Sequence, residues 1–190
     1  GAYSGTDEAI LLHPDFANQS LQKKPRTQMP RFVLNTEQIK LLINVFGGLP
    51  ANVEDALMEF ENGVLICLPN SDVFGAPRSM ARWIDQIITQ YGNQTAIYLK
   101  YHPRESKEHN LQLSINKRVF VIPRLIPAEL ICALAGSRLS AVYAEASSIL
   151  VTSRWMNPDV EAYSANWSGV KLPSELMDLF SRLGIHSINR

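Results

Sequence analysis

The residues best suited to chemistry in this 190-residue chain lie in the segment AIYLKYHPR, from Ala96 to Arg104. Its apolar first half predicts a buried strand, and Lys100, His102 and Arg104 follow at the carboxyl end of that strand. Open α/β sheets bind their ligands at this end of the strands. A cluster of cations there favours a phosphorylated ligand, and a histidine can also transfer a proton because its pKa lies near neutrality. Taken alone, the His-Pro pair also fits an ordinary strand end, since proline cannot continue the hydrogen-bond ladder.

Two further groups of polar residues follow predicted strands later in the chain. Ser147 and Ser148 begin a predicted helix directly after a strand, so their hydroxyls and the free N–H groups of the first helical turn could bind phosphate. Glu129 lies in the first turn of the helix after the strand 119–122, where its carboxylate could accept two hydrogen bonds from a ribose diol, and Glu145 is a second acidic candidate. Each residue also has a purely structural interpretation, as a helix cap or as a favourable charge at a helix start.

The apolar pattern predicts alternating strands and helices from Gly63 onward. Short continuous apolar runs, which are typical of buried parallel strands, occur at 64–68, 96–99, 119–122 and 140–143. Helical spacing of apolar residues predicts helices at 36–46, 52–60, 79–91, 126–136, 146–155 and 173–183. Thr36 is the expected cap of the first helix, Pro127 is expected in the first turn of the fourth, and part of the polar segment 105–116 is also expected to be helical.

This alternation indicates an α/β fold with a Rossmann-like parallel sheet flanked by helices. In a parallel sheet all carboxyl strand ends share one edge. We therefore expect the residues that follow the strands to converge, namely Pro69–Phe74, His102–Arg104, Pro123–Ile126 and Ala144–Ser148.

Composition excludes several classes of protein. The chain has 18 basic and 18 acidic residues and a formal net charge of zero, which argues against nucleic acid as a partner and requires any anion site to be local. Cys67 and Cys132 lie in apolar runs and are interpreted as buried free thiols. The sequence contains no Gly-rich dinucleotide loop, Walker lysine motif or Cys/His metal spacing. No apolar run approaches the roughly 20 residues of a membrane span, so a soluble domain is expected.

Three spaced motifs together resemble the nucleotide-binding half of bacterial GT-B sialyltransferases, including the capsule polysialyltransferases. The segments KYHPR, IPAE and ASS occur in the same order and at similar intervals, and the resemblance covers residues 64–163. Those enzymes share an HP motif, a glutamate that binds the cytidine ribose, and a serine or threonine pair that holds the phosphate of CMP-sialic acid. The resemblance implies that His102 and Pro103 form the HP motif, that Glu129 binds the ribose, and that Ser147 with Ser148 holds the phosphate.

The resemblance also implies a domain arrangement and a reaction. Residues 61–190 would be the CMP-sugar domain, the C-terminal half of a GT-B enzyme, and residues 1–60 a connecting segment with a remnant of the acceptor domain. Sialic acid would be transferred from CMP-sialic acid to a glycan acceptor in capsule or lipooligosaccharide synthesis, without a metal or other cofactor. His102 would donate a hydrogen bond or proton to the departing phosphate, and Lys100 or Arg104 would add positive charge. The full-length enzyme would be cytoplasmic, with peripheral association at the inner face of the membrane left open.

One feature of these enzymes is missing from the sequence. Their general base belongs to an acidic D/E-D/E-G motif, and no such triplet occurs here. We therefore expect the base to lie upstream of Gly1 and this fragment to be inactive alone. A second His-Pro pair, at His13 and Pro14, is interpreted as structural because no IPAE-like segment or serine pair follows it at a matching interval. Two alternatives stay open: a GT-B transferase that uses another nucleotide sugar, and a non-catalytic nucleotide-binding module.

Overall fold

The computed structural model describes residues 9–11, 25–29, 34–70, 77–105, 118–167, 169 and 171–188. The chain divides into two compact units, Gly1–Val33 and Leu34–Arg190. In the first unit two short strands, β1 (Ala9–Leu11) and β2 (Arg26–Gln28), pair in parallel. The His13-Pro14 pair and most of the segment predicted to be partly helical, residues 106–116, lie outside the described residues.

The second unit is built on a six-stranded parallel sheet. In chain order its strands are β3 (Gly63–Cys67), β4 (Ala96–Lys100), β5 (Val119–Ile122), β6 (Leu139–Ala144), β7 (Glu161–Ala165) and β8 (Ile185–Ile188). Their spatial order is β5-β4-β3-β6-β7-β8, and every neighbouring pair is parallel. The chain therefore builds outward on one side of β3 and then returns to build on the other side, which is the strand order of a Rossmann fold. The predicted Rossmann-like parallel sheet is confirmed.

Helices flank this sheet, and each of the six predicted helices lies within two residues of its expected bounds. In the described part of the chain they are α1 (Thr36–Val45), α2 (Ala51–Glu59), α3 (Pro77–Tyr91), α4 (Ala128–Ala135), α5 (Ser148–Met156) and α6 (Ser174–Arg182). Two details of the prediction were wrong. Asn35, not Thr36, caps α1, because Asn35 Oδ1 accepts from the Gln38 N–H at 2.9 Å while Gln38 Oε1 accepts from the Asn35 N–H at 3.1 Å. Pro127 is the residue before α4 and does not lie within its first turn.

The second compact unit begins well before the expected domain boundary at residue 61. Helices α1 and α2 belong to it, and their buried residues pack in the same apolar cluster as the sheet. The assignment of residues 1–60 to a connecting segment and a remnant of an acceptor domain stays a prediction. None of the described helices is both long and apolar enough to cross a bilayer.

The strand β4 separates two apolar layers. Ala96 and Tyr98 pack with residues of α1, α2, α4, α5 and α6, whereas Ile97, Leu99 and Tyr101 pack with residues of α3. Side chains alternate between the faces of a strand. Lys100 therefore lies on the face of Ala96 and Tyr98, at the last position of the strand.

Candidate functional site

A cavity of about 490 Å³ lies at the carboxyl end of the sheet. Its walls come from residues 67–70 at the end of β3, residues 100–104 at the end of β4, the start of α4 with Leu125, and residues 145–149, which lead from β6 into α5. The strands β4 and β6 lie on opposite sides of β3, and a crevice forms at such a reversal of the strand order because the connections diverge there. The volume falls within the range of small-molecule sites, about 300–1,000 Å³.

The structure brings together all the residues that the sequence predicted for the site. The cavity is lined by Lys100, His102, Pro103, Arg104, Glu129, Ser147 and Ser148, and also by Glu145. Of the strand-end segments expected to converge, residues 71–74 lie outside the described residues. Sequence reasoning did not single out the apolar part of the lining, which includes Leu68, Leu125 and Ile149. These residues carry no chemical signal in the sequence, and only their positions at strand and helix ends could have indicated them.

His102 occupies a tight turn directly after β4. The backbone N–H of Glu105 donates to the carbonyl of His102 at 2.9 Å and closes this turn. The backbone N–H of Arg104 donates to Nδ1 of His102 at 3.1 Å. Because Nδ1 accepts a hydrogen bond, the neutral imidazole carries its proton on Nε2, which is then a donor. Burial lowers the pKa of His102, the cations of Arg104 and Lys100 lower it further, and the carboxylate of Glu105 opposes them.

Ser147 and Ser148 form the cavity wall at the start of α5. Ser147 is the N-cap of this helix, and its Oγ accepts a long hydrogen bond of 3.4 Å from the backbone N–H of Ile149. Ser148 is the first helical residue and is exposed. Ser147 therefore caps the helix, which is the structural role expected for a serine at this position. It does not prevent ligand binding, because a hydroxyl can accept one hydrogen bond and donate another.

Two carboxylates belong to the same cavity. Glu129 lies in the first turn of α4 and is half-buried, and within the described part of the chain its side chain forms no hydrogen bond. Glu145 is buried and stands two residues before Ser147. The two residues are on adjacent walls, and Glu129 is the more accessible of them. Among the described residues no group of three or more His, Cys, Asp or Glu side chains is arranged to hold a metal ion.

Lys100 lines the cavity with its ammonium group bonded to the backbone, and its expected role of adding charge beside a phosphate stays a prediction. Only 4% of the residue is exposed, and its Nζ donates to the carbonyls of Tyr101 at 3.1 Å and Arg124 at 2.9 Å. Burial lowers the pKa of Lys100, and the neighbouring Cys67 and Glu129 oppose this. Two of its three donors are thus used within the protein. Arg104 is exposed at the cavity, and its role toward a ligand stays a prediction.

Most of the site lies within a segment that matches a known family. Residues 77–166 match the family model described as Alpha-2,8-polysialyltransferase (POLYST), and this range contains the segments KYHPR, IPAE and ASS. The family resemblance drawn from these motifs is confirmed over that range. The match supports glycosyl transfer as the general activity and glycosyltransferase as the general class.

Other comparisons add less. The chain matches no curated protein. Among solved structures, a UDP-forming alpha,alpha-trehalose-phosphate synthase from Burkholderia xenovorans aligns with 84% of this chain at 9% identity and a TM-score of 0.43. The alignment covers 44% of the synthase, so this chain spans less than half the length of that protein.

Proposed function

We propose that this chain, whose residues 77–166 match the alpha-2,8-polysialyltransferase family, is the donor-binding half of a sialyltransferase that uses CMP-sialic acid. The observation that carries the proposal is the meeting of three separate motifs in one cavity. KYHPR, IPAE and ASS come from different parts of the chain, yet His102, Glu129 and Ser147 line the same space at the strand ends. A parallel sheet binds ligands at this place.

Each motif supplies a different part of a nucleotide site. The serine pair and the start of α5 offer hydroxyl and N–H donors and the positive end of a helix dipole, which together suit a phosphate. Glu129 presents carboxylate oxygens that can accept hydrogen bonds from the two hydroxyls of a ribose. The apolar side chains of Leu68, Leu125 and Ile149 line the same cavity and can pack against a flat base.

His102 acts on the departing phosphate. In sialyl transfer the bond between the anomeric carbon and a phosphate oxygen breaks, and its electron pair stays on the phosphate. The Nε2–H of His102 donates a hydrogen bond to this growing charge, which preferentially stabilises the transition state. A bound phosphate also raises the pKa of an adjacent histidine, so the ring becomes able to pass a proton to the leaving CMP.

The acceptor completes the reaction. An acceptor hydroxyl forms the new bond to the anomeric carbon and loses its proton to a base, which the family resemblance assigns to an acidic motif not found in this sequence. We propose a glycan of capsule or lipooligosaccharide synthesis as the acceptor and a cytoplasmic location for the enzyme. In this scheme protein donors neutralise the phosphate, and a metal is not required.

A calorimetric titration of the chain with CMP, UMP and GMP tests the donor site. We expect selective binding of CMP, weakened in His102→Ala and in Ser147→Ala. His186→Ala and Ser187→Ala are matched controls, because both residues are exposed on β8 and do not line the cavity. Preferred binding of UMP or GMP would favour a transferase that uses another nucleotide sugar. Absence of binding by all three nucleotides would overturn the proposed donor site of this chain.

A further inference from the structure

The ammonium group of Lys100 joins two segments that are distant in sequence. Its Nζ donates to the carbonyl of Tyr101, directly before the His102 turn, and to the carbonyl of Arg124, in the loop that leads from β5 to α4. The first segment carries His102 and the second leads into the helix that carries Glu129. One buried side chain therefore connects two walls of the cavity.

Arg124 makes a second connection in the opposite direction. Its guanidinium donates to the carbonyl of Glu105, at the end of the His102 turn, at 2.5 Å. Each connected segment is itself closed by a backbone hydrogen bond, from the Glu105 N–H to the His102 carbonyl at 2.9 Å and from the Ile126 N–H to the Pro123 carbonyl at 3.1 Å. The side chain of Lys100 reaches the loop, and the side chain of the loop residue Arg124 reaches the turn. We call this pair of links the Lys100–Arg124 clamp.

We propose that Lys100 and Arg124 are positioning residues, which hold the His102 turn in register with the start of α4 so that His102 and Glu129 act on one nucleotide. The nucleotide part of this inference rests on the proposed function. The connection between the His102 turn and the start of α4 does not rest on it, because this connection consists of hydrogen bonds to backbone carbonyls. The loss of a hydrogen bond from a charged donor costs more free energy than the loss of a neutral one. Small displacements of catalytic groups are also costly, by up to about 100-fold for 1 Å.

The charge of Lys100 adds a further readout, the pKa of His102. The charged groups that act on His102 are Lys100, Arg104 and Glu105, and both cations lower the pKa of His102. The groups that act on Lys100 are Cys67 and Glu129. Removing the Lys100 charge should therefore raise the pKa of His102. A looser fold would also raise this pKa by exposing the ring, because burial is the largest cause of its lowering. Arg124→Met measures that second contribution, since Arg124 is not among the charges that act on His102.

The test compares Lys100→Met, Lys100→Arg and Arg124→Met in the 190-residue chain, with Arg138→Met as the matched control. Arg138 also ties two carbonyls, those of Leu57 at 2.9 Å and Leu134 at 3.1 Å. It precedes β6, whereas the cavity lies at the other end of that strand. Arg138→Met therefore shows how much CMP affinity and amide exchange change when two such hydrogen bonds are lost away from the site.

Three measurements are made on each variant: the affinity for CMP, the exchange rates of the Glu105 and Ile126 amide hydrogens, and the pKa of His102 by NMR. We expect Lys100→Met and Arg124→Met to weaken CMP binding by about 10-fold or more and to accelerate exchange at both amides beyond the change in Arg138→Met. Lys100→Met should also raise the pKa of His102. Lys100→Arg should leave that pKa near the wild-type value and recover part of the affinity.

The outcomes separate the two proposals. Exchange at Glu105 and Ile126 no faster in Lys100→Met than in Arg138→Met would overturn the clamp, with or without nucleotide binding. Unchanged CMP affinity in both clamp variants would overturn the positioning role. Failure of the wild-type chain to bind CMP would overturn the proposed donor, while the exchange rates and the pKa of His102 would still decide whether the clamp exists.

Discussion

The backbone N–H of Arg104 donates to Nδ1 of His102 at 3.1 Å, and this contact sets the tautomer of the candidate catalytic histidine. In the neutral ring Nε2 then carries the proton. Burial and the neighbouring cations of Arg104 and Lys100 lower the pKa of His102, so the neutral ring predominates in the ligand-free protein at neutral pH. A single backbone amide thus decides which ring nitrogen can donate.

The first prediction concerns the pH dependence of CMP binding. A bound phosphate stabilises the imidazolium and raises the pKa of His102, so binding takes up a proton between the pKa values of the free and bound states. The affinity should therefore increase as the pH falls through this window and become constant, as far as His102 is concerned, below the free-state pKa. Calorimetry in buffers of different ionisation enthalpy measures the proton uptake. In His102→Asn the phosphate of CMP can still take up a proton, but the imidazole is absent. Proton uptake in this variant equal to that of the wild-type chain would contradict the prediction.

The second prediction concerns turnover in the complete enzyme. His102→Ala should reduce kcat by about 10²–10⁴-fold, because a positioned acid or hydrogen-bond donor at the leaving group contributes this much. The fold should stay intact, since His102 is only partly buried at the cavity, and circular dichroism with thermal unfolding checks this. His186→Ala is the control. Wild-type turnover in His102→Ala would show that His102 has no role in the reaction.

The third prediction concerns the thiol of Cys67. Burial raises its pKa to about 12, although the nearby Lys100 opposes this. Because only the thiolate is nucleophilic, alkylation by iodoacetamide at pH 8 should be about 1,000-fold slower than for an ordinary cysteine. Mass spectrometry of the labelled chain measures the rate. Cys132 is buried, whereas Cys67 is only partly buried. Burial raises the pKa of Cys132 as well, so Cys132→Ser isolates the reaction of Cys67. Rapid labelling in that variant would show that the cavity wall is open to solvent.

The fourth prediction concerns stability at the start of β3. A Cβ added at Gly63 would lie 2.7 Å from Cε2 of Tyr98, a fully buried ring whose hydroxyl donates to the carbonyl of Ala56 at 2.9 Å. Gly63→Ala should displace this ring and lower the free energy of unfolding by about 1–3 kcal/mol. Tyr98→Phe removes only the hydrogen bond and should cost about 1 kcal/mol. Urea denaturation measures the free energy of unfolding of both variants, and a loss below about 0.5 kcal/mol in Gly63→Ala would contradict a steric conflict.

Much of the sheet could be predicted from the sequence because four of its strands are continuous apolar runs. The strands β7 and β8 were not predicted. Their sequences, EAYSA and IHSI, mix polar and apolar residues, and they become strands through tertiary pairing. Tyr143, Tyr163 and His186 are register partners, and the ring of Tyr163 stacks on that of Tyr143 at 4.6 Å and lies 5.3 Å from that of His186. Such cross-strand contacts depend on residues far apart in the chain.

The membership of the candidate site was also predictable, whereas its internal bonding was not. Strand alternation placed Lys100 on the same side as His102, and a parallel sheet required the strand ends to converge. The ammonium of Lys100 nevertheless bonds to a carbonyl 24 residues away. Every residue has a backbone carbonyl, so the sequence does not show which carbonyl a lysine will bond to. A lysine that binds phosphate and a lysine that bonds to the backbone therefore look the same in the sequence. The capping box of Asn35 and Gln38 differs in this respect, because its residue types and spacing are readable.

The strand order around β3 has a consequence for how the second unit unfolds. Residues 67–70 and 100–104 belong to the half built first along the chain, and residues 145–149 belong to the half built after the chain returns. A ligand in the crevice touches both halves at once. If either half opens, the binding energy of the ligand is lost. A bound ligand should therefore make the two halves unfold together, in a single cooperative transition, and not separately.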